Sequence, residues 1–182
     1  DYDAGNIRSV QRACSAVGMD ARVTASPEEL LTADRLIFPG VGTAESAMQI
    51  IRQRGLDEAL RQYFSQGKPL LGICLGLQVV LDTTEEGQES CLGIIPGGCH
   101  KFQFAEPGLK VPQIGWNQIE LKSQHPMFGN IRSGDEFYFV HSYYAQPLQD
   151  DNVLAETTYG DIVFASVIGQ RNLFATQFHL EK

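Results

Sequence analysis

Over the first half of the chain, apolar positions alternate between helical and strand-like spacing. Ile7, Val10, Cys14 and Val17 recur at helical spacing behind Asn6, which is suited to cap a helix, and ahead of Gly18, which is suited to end one. Residues 21–24 predict a short strand. Ser26-Pro27-Glu28-Glu29 marks a helix start, with the serine as cap and proline in the first helical position. Leu36-Ile37-Phe38 predicts the next strand, residues 44–54 and 56–66 two helices, Pro69-Leu70-Leu71 another strand, and Leu77-Gln78-Val79-Val80-Leu81 the opening of another helix. This alternation implies parallel strands joined by crossover helices. Beyond Gly87 the character changes. Short apolar stretches at 92–95, 98–104, 117–121, 136–143, 152–157, 162–167 and 173–178 lie between Gly, Pro and Asp turns and predict strands in hairpins. The expected architecture is α/β: a mixed central sheet, parallel at its centre with antiparallel additions and helices on both faces. At 182 residues, one domain over 1–182 is expected, with enough chain for a substantial core.

Composition narrows the class. Apolar residues make up 43% and charged residues 20%, ordinary for a globular protein. A net charge of −8 argues against nucleic acid as the principal partner, because phosphates need a basic surface. The longest apolar runs fall far short of a membrane span. The four cysteines (Cys14, Cys74, Cys91 and Cys99) show no paired or zinc-binding spacing, so no metal or other cofactor is expected. A reduced, cytoplasmic setting is expected.

The chemistry concentrates at Gly72-Ile73-Cys74-Leu75-Gly76, between a strand and a helix. A nucleophile flanked in this way sits on a sharp strand-to-helix turn, which exposes it at the sheet edge. The helix start favours thiolate, and the Leu75 N–H is placed as an oxyanion donor. His179 and Glu181, after the strand Phe174-Ala175-Thr176-Gln177-Phe178, supply a base and an acid to orient it; residues two apart on an extended segment share a side. Pro39-Gly40-Val41-Gly42 follows the strand at 36–38. It is either a plain tight turn or a loop that exposes N–H groups at the carboxyl edge, where sites of open α/β sheets form.

Taken together, these residues resemble the class I glutamine amidotransferases: the G-x-C-x-G elbow, Gln78 four residues after the cysteine, and the terminal His-x-Glu. More closely, the chain resembles the glutaminase subunits of imidazole glycerol phosphate synthases. That likeness rests on Asp1-Tyr2-Asp3-Ala4-Gly5-Asn6, on Pro39-Gly40-Val41-Gly42-Thr43-Ala44, on 71–78, on Val111-Pro112-Gln113-Ile114-Gly115-Trp116-Asn117, and on Phe139-Val140-His141-Ser142-Tyr143-Tyr144.

The resemblance implies a three-layer, flavodoxin-like fold and glutamine hydrolysis through a Cys74 thioester, with His179 as base and then acid and Glu181 orienting it. It implies an oxyanion cradle from Leu75 and the Gly40, Val41 and Gly42 segment. L-glutamine would be held by Gln78, Glu86, Ser142 and Tyr143, although Glu86 also reads as a solvated acid beside Glu85. It implies a (β/α)8-barrel cyclase partner that receives ammonia, allosteric coupling to it, and Asn6 and Trp116 near the interface; for Trp116, core filling is an equal alternative. His141 ranks below His179 as a base because it lacks an adjacent acid.

The chain departs from the family in two places, with Leu180 where proline is usual and Gln113 where histidine is frequent. The resemblance also implies a strand ahead of Asp1 and a helix beyond Lys182, so trimming at both ends is expected. The competing readings are another glutaminase of the same superfamily, which the Ile114-Gly115-Trp116-Asn117 and His141-Ser142-Tyr143-Tyr144 blocks argue against, a stand-alone cysteine hydrolase, and a non-catalytic regulatory subunit.

Overall fold

Short-range signals set the first elements. The computed structural model describes residues 2, 6–87, 90–105 and 108–182; Asp1, Asp3, Ala4 and Gly5 of the opening stretch lie outside them. Helix α1 spans Ile7–Ala16. It ends in a left-handed Gly18 (φ 75°), with Gly18 N–H donating to Ser15 and Met19 N–H to Cys14, the paired closure that only a residue without Cβ makes easily. Asn6 precedes α1, yet its side chain makes no cap bond, being engaged elsewhere, and Val17 is exposed rather than on the buried face. Helix α2 (Pro27–Thr32) is capped as expected, Glu29 N–H donating to Ser26 Oγ at 3.2 Å. Strand β1 (Leu36–Gly40), helices α3 (Ala44–Gln53) and α4 (Leu56–Ser65), strand β2 (Leu70–Cys74) and helix α5 (Leu75–Gln78) follow. The remaining strands are β3 (Thr83–Thr84), β4 (Gly97–Lys101), β5 (Gln113–Gln118), β6 (Glu120–Leu121), β7 (Glu136–His141), β8 (Tyr143–Pro147), β9 (Val153–Tyr159), β10 (Ile162–Gln170) and β11 (Leu173–Thr176).

The main sheet runs β1-β2-β11-β10-β8-β4-β3, and β9 bridges β10 to β6. Its centre is parallel (β1 with β2, β2 with β11) and most of the additions are antiparallel. Alternate residues of β11 divide the interior. Leu173 and Ala175 join a core with Met48, Ile51, Leu60 and Tyr63 of α3 and α4; Phe174 joins an aromatic layer with Phe128, Phe139, Phe164 and Phe178. The expected α/β architecture with a mixed central sheet is thus the one found.

Several local expectations are corrected. Residues 21–24 form no strand. They instead line a cleft of about 840 Å³ with α1 and β1, so they have no ladder partner. The helix expected from Leu77 begins at Leu75 and is one turn long. The carbonyls of Val79, Val80 and Leu81 accept from Leu92, Ile94, Ile95 and Gly93 N–H groups, which ends the helix and also explains why 92–95 is no strand: its donors are spent on a turn. The stretch at 136–143 is two strands. Among the described residues β7 pairs with β5 in a separate two-stranded sheet, apart from a single bridge from Tyr138 to His179, while β8 enters the main sheet, and Ser142 is the junction. The strand expected at 117–121 is likewise divided between the end of β5 and β6.

Candidate active site

Three strand ends converge at one edge. In register, Gly40 lies beside Cys74 and Ile73 beside Thr176, so β1, β2 and β11 terminate together. Close packing makes the elbow glycines obligatory: a Cβ on Gly76 would run into the Phe38 carbonyl oxygen, and one on Gly72 would lie 2.9 Å from Ala175 Cβ. Cys74 itself takes φ 54°, ψ −109°, a left-handed conformation uncommon for a residue with a Cβ. This backbone strain at a nucleophile is what the elbow imposes. Leu75 is the first residue of α5, so its N–H is unclaimed by the helix ladder.

His179 follows β11 and is fixed by its backbone, its N–H donating to Tyr138 O at 3.0 Å. Its Nδ1 lies 2.7 Å from Glu181 Oε1, and both side chains are almost fully buried. The same Oε1 accepts from Asn6 Nδ2 at 2.7 Å. Burial pulls the imidazole pKa down, but the adjacent Cys74 sulfur and the hydrogen-bonded Glu181 prevail, their charges adding to these contacts, and raise it to about 9. Burial likewise pushes Glu181 up, and hydrogen bonds from His179 and Asn6 outweigh it and hold the carboxyl below its usual range. The pair is therefore imidazolium and carboxylate at neutral pH. His179 Nε2 makes no hydrogen bond among the described residues, although Cys74 is near enough to raise its pKa.

A cavity of about 290 Å³ opens on this group, at the small end of ligand sites. Its lining brings together Cys74, His179, Leu75, Val41, Gly42, Gln78, Glu86, Ser142 and Tyr143. Gly40 sits behind them against Leu75 and Tyr2. Gln78 Nε2 donates to Tyr143 O (3.0 Å) and Gln177 Oε1 (3.1 Å). Glu86 Oε2 accepts from Ala44 N–H at 2.7 Å, so it is tied to the start of α3 rather than solvated beside Glu85. Trp116 is not core: it is 62% exposed, edge-on to Tyr138 at 5.9 Å, with Ile114 and Val140 exposed on the same small sheet. Asn6, expected near a partner, holds Glu181 instead of capping α1. His141 lies among Phe102, Phe139 and Phe164 and donates from Nδ1 to Tyr143 O at 2.8 Å. Burial depresses its pKa to about 4, so it stays neutral, and among the described residues no carboxylate hydrogen-bonds to it.

Two residues escape the sequence reading. Gln177, fully buried, donates from Nε2 to Cys74 Sγ at 3.8 Å. Its signal is a polar side chain within an apolar run beside the histidine. Tyr2 donates to Pro39 O at 2.8 Å, a long-range contact with no local signal. Among the described residues no group of three or more His, Cys, Asp or Glu side chains is placed to hold a metal, and no helix is long and apolar enough to cross a membrane.

The family model for class-I glutamine amidotransferases matches residues 1–182. The chain belongs to this family. It is 45% identical over its whole length to the imidazole glycerol phosphate synthase subunit HisH of Dehalococcoides mccartyi (strain CBDB1), covering 87% of that relative. It is 45% identical to the subunit HisH of Maridesulfovibrio salexigens, again over all of this chain and 87% of the relative. The corresponding subunit of Synechococcus elongatus is 43% identical over all of this chain and 84% of its own length. Among solved structures, a glutamine amidotransferase superposes with TM-score 0.74 at 20% identity (98% of this chain, 87% of the other). PurLQS from Thermotoga maritima gives 0.73 at 14% identity (98% and 83%). These last two share the class I amidotransferase fold with this enzyme.

Proposed function

We propose that this glutamine amidotransferase, acting as one domain over residues 1–182, is the glutaminase subunit of an imidazole glycerol phosphate synthase. The observation that carries the chemistry is His179, bound to Glu181 at 2.7 Å, lining one cavity with a Cys74 held in left-handed backbone. Its likeness to the HisH subunits supports the choice of substrate and pathway.

In this reading Cys74 Sγ attacks the amide carbon of L-glutamine, and the carbonyl oxygen gains charge beside Leu75 N–H and an N–H from the 40–42 segment. His179 passes its proton to the amide nitrogen, the C–N bond breaks, and ammonia leaves a γ-glutamyl thioester. Water then attacks that carbon, His179 accepts its proton, the C–S bond breaks, and glutamate departs. Gln78, Glu86, Ser142 and Tyr143 surround the amino-acid end. Ammonia passes to a (β/α)8-barrel cyclase, which makes imidazole glycerol phosphate and the aminoimidazole carboxamide ribonucleotide in the cytoplasm. The exposed Ile114, Trp116 and Val140 support the β5–β7 sheet as its docking face.

The test is glutamine hydrolysis by the protein alone and with a barrel cyclase plus its nucleotide ligand, beside Cys74→Ala. Weak activity alone, a strong rise in the complex and loss in the variant are expected. High activity alone favours an independent hydrolase, and no Cys74-dependent activity in a verified complex favours a regulatory subunit.

A further inference from the structure

The segment 40–42 is held from both sides by side chains that take no part in the bond-making steps. On its entry side Pro39 has no N–H, so its carbonyl is its only backbone polar group. That carbonyl is taken by Tyr2 Oη at 2.8 Å. The Tyr2 ring is buried against Phe38 (centroids 5.4 Å apart), and its hydroxyl lies so close to Gly40 that a Cβ there would collide with it. On its exit side Glu86 Oε2 accepts the Ala44 N–H at 2.7 Å, while Thr43 Oγ1 accepts from Ser46 N–H at 3.3 Å. Between these anchors the chain is open to solvent. Val41 is exposed, and Gly42 takes φ 96° with nothing within 4 Å of where a Cβ would stand.

We propose that Tyr2 and Glu86 are positioning residues that clamp the two ends of the oxyanion segment, so that only the peptide groups between Gly40 and Thr43 turn an N–H toward the carbonyl held at Cys74. The inference rests on the glutaminase reading above. Pinning the Pro39–Gly40 peptide removes one rotating unit, and the remaining N–H groups then search a smaller set of orientations. Because the exit anchor is also a wall of the substrate cavity, a ligand drawing on Glu86 bears directly on the segment's far end.

The experiment uses the full-length protein and three readouts. Tyr2→Phe keeps the ring and removes the hydroxyl. Losing one such bond is expected to lower kcat for glutamine about three- to tenfold with KM unchanged. Alkylation of Cys74 by iodoacetamide, a displacement that forms no oxyanion, is expected to keep its rate. Amide hydrogen exchange in peptides covering 38–43 should quicken by a similar factor while the rest of the chain is unmoved. For Glu86, Glu86→Gln retains an acceptor for Ala44 N–H and should raise KM alone. Glu86→Ala should raise KM, lower kcat and expose the Ala44 amide to exchange. Unchanged exchange at 38–43 in Tyr2→Phe, or alkylation slowed in parallel with turnover, overturns the clamp. Absence of Cys74-dependent turnover by the unsubstituted protein in a verified complex with a barrel cyclase overturns the glutaminase reading instead, and the exchange data still decide the clamp.

Discussion

Glu181 shares one oxygen between two donors, His179 Nδ1 and Asn6 Nδ2, each at 2.7 Å. Fixing a carboxylate in this way fixes the imidazole that leans on it, and a hydrogen bond to a charged group is worth about 1.5–3 kcal/mol. Asn6→Ala is accordingly expected to lower kcat/KM for glutamine by about tenfold while leaving the fold intact, as read by steady-state kinetics beside circular dichroism. The pH dependence follows from His179, which titrates at about 9 in the folded chain and near 6.5 when unstructured. Its stabilising partners contribute fully below about pH 6.5, and that contribution is lost as pH rises through about 9. Urea midpoints should therefore fall between pH 6 and 9.5 more steeply in the native chain than in His179→Asn. In kinetics, kcat/KM should hold through neutrality and decline through about pH 9, as the proton destined for ammonia is lost; a decline centred near 6.5 would contradict the imidazolium assignment.

At the scale of elements, the turn at Cys74 depends on backbone packed against backbone. Gly76→Ala drives a methyl into the Phe38 carbonyl, and β1 cannot retreat without losing its pairing to β2. The expected loss is about 3 kcal/mol or more, seen as a fall in thermal midpoint together with loss of activity. The Ser26 cap and the Gly18 closure were legible in the sequence because they act within a few residues of themselves, and the elbow was legible because its motif is contiguous, although its glycines pack against the distant Phe38 and Ala175. The failures are non-local. Residues 92–95 are apolar enough for a strand, but their N–H groups serve carbonyls a dozen residues earlier. Residues 136–143 carry one unbroken pattern, yet Ser142 hands the chain from one sheet to another. Asn6 has the chemistry of a cap and the geometry of a carboxylate ligand, and only the fold decides between them. Gln177 and Tyr2 have partners far along the chain, Cys74 and Pro39, which no window of neighbouring residues contains.

For the whole molecule, the two-stranded sheet of β5 and β7 joins the site to the outside. Its register sets Gln113 opposite His141 at the cavity end and Trp116 opposite Tyr138 on the way out. Tyr138 in turn receives the His179 backbone N–H. Trp116→Ala should leave stability and basal hydrolysis nearly unchanged, since the ring is largely exposed, but should weaken stimulation by the cyclase several-fold; titration of the cyclase against the variant checks this. The triad and its support are also dispersed along the chain. Asn6 comes first, Cys74 next, and His179 and Glu181 last, with the Asn6–Glu181 bond joining the extremes of the set. The order of synthesis then matters. The thiol leaves the ribosome long before His179 and Glu181 exist, and Glu181 is steadied only once it has folded back onto Asn6. Under the proposed mechanism a nascent chain therefore carries Cys74 without its partners, and ammonia production waits until translation has passed Glu181.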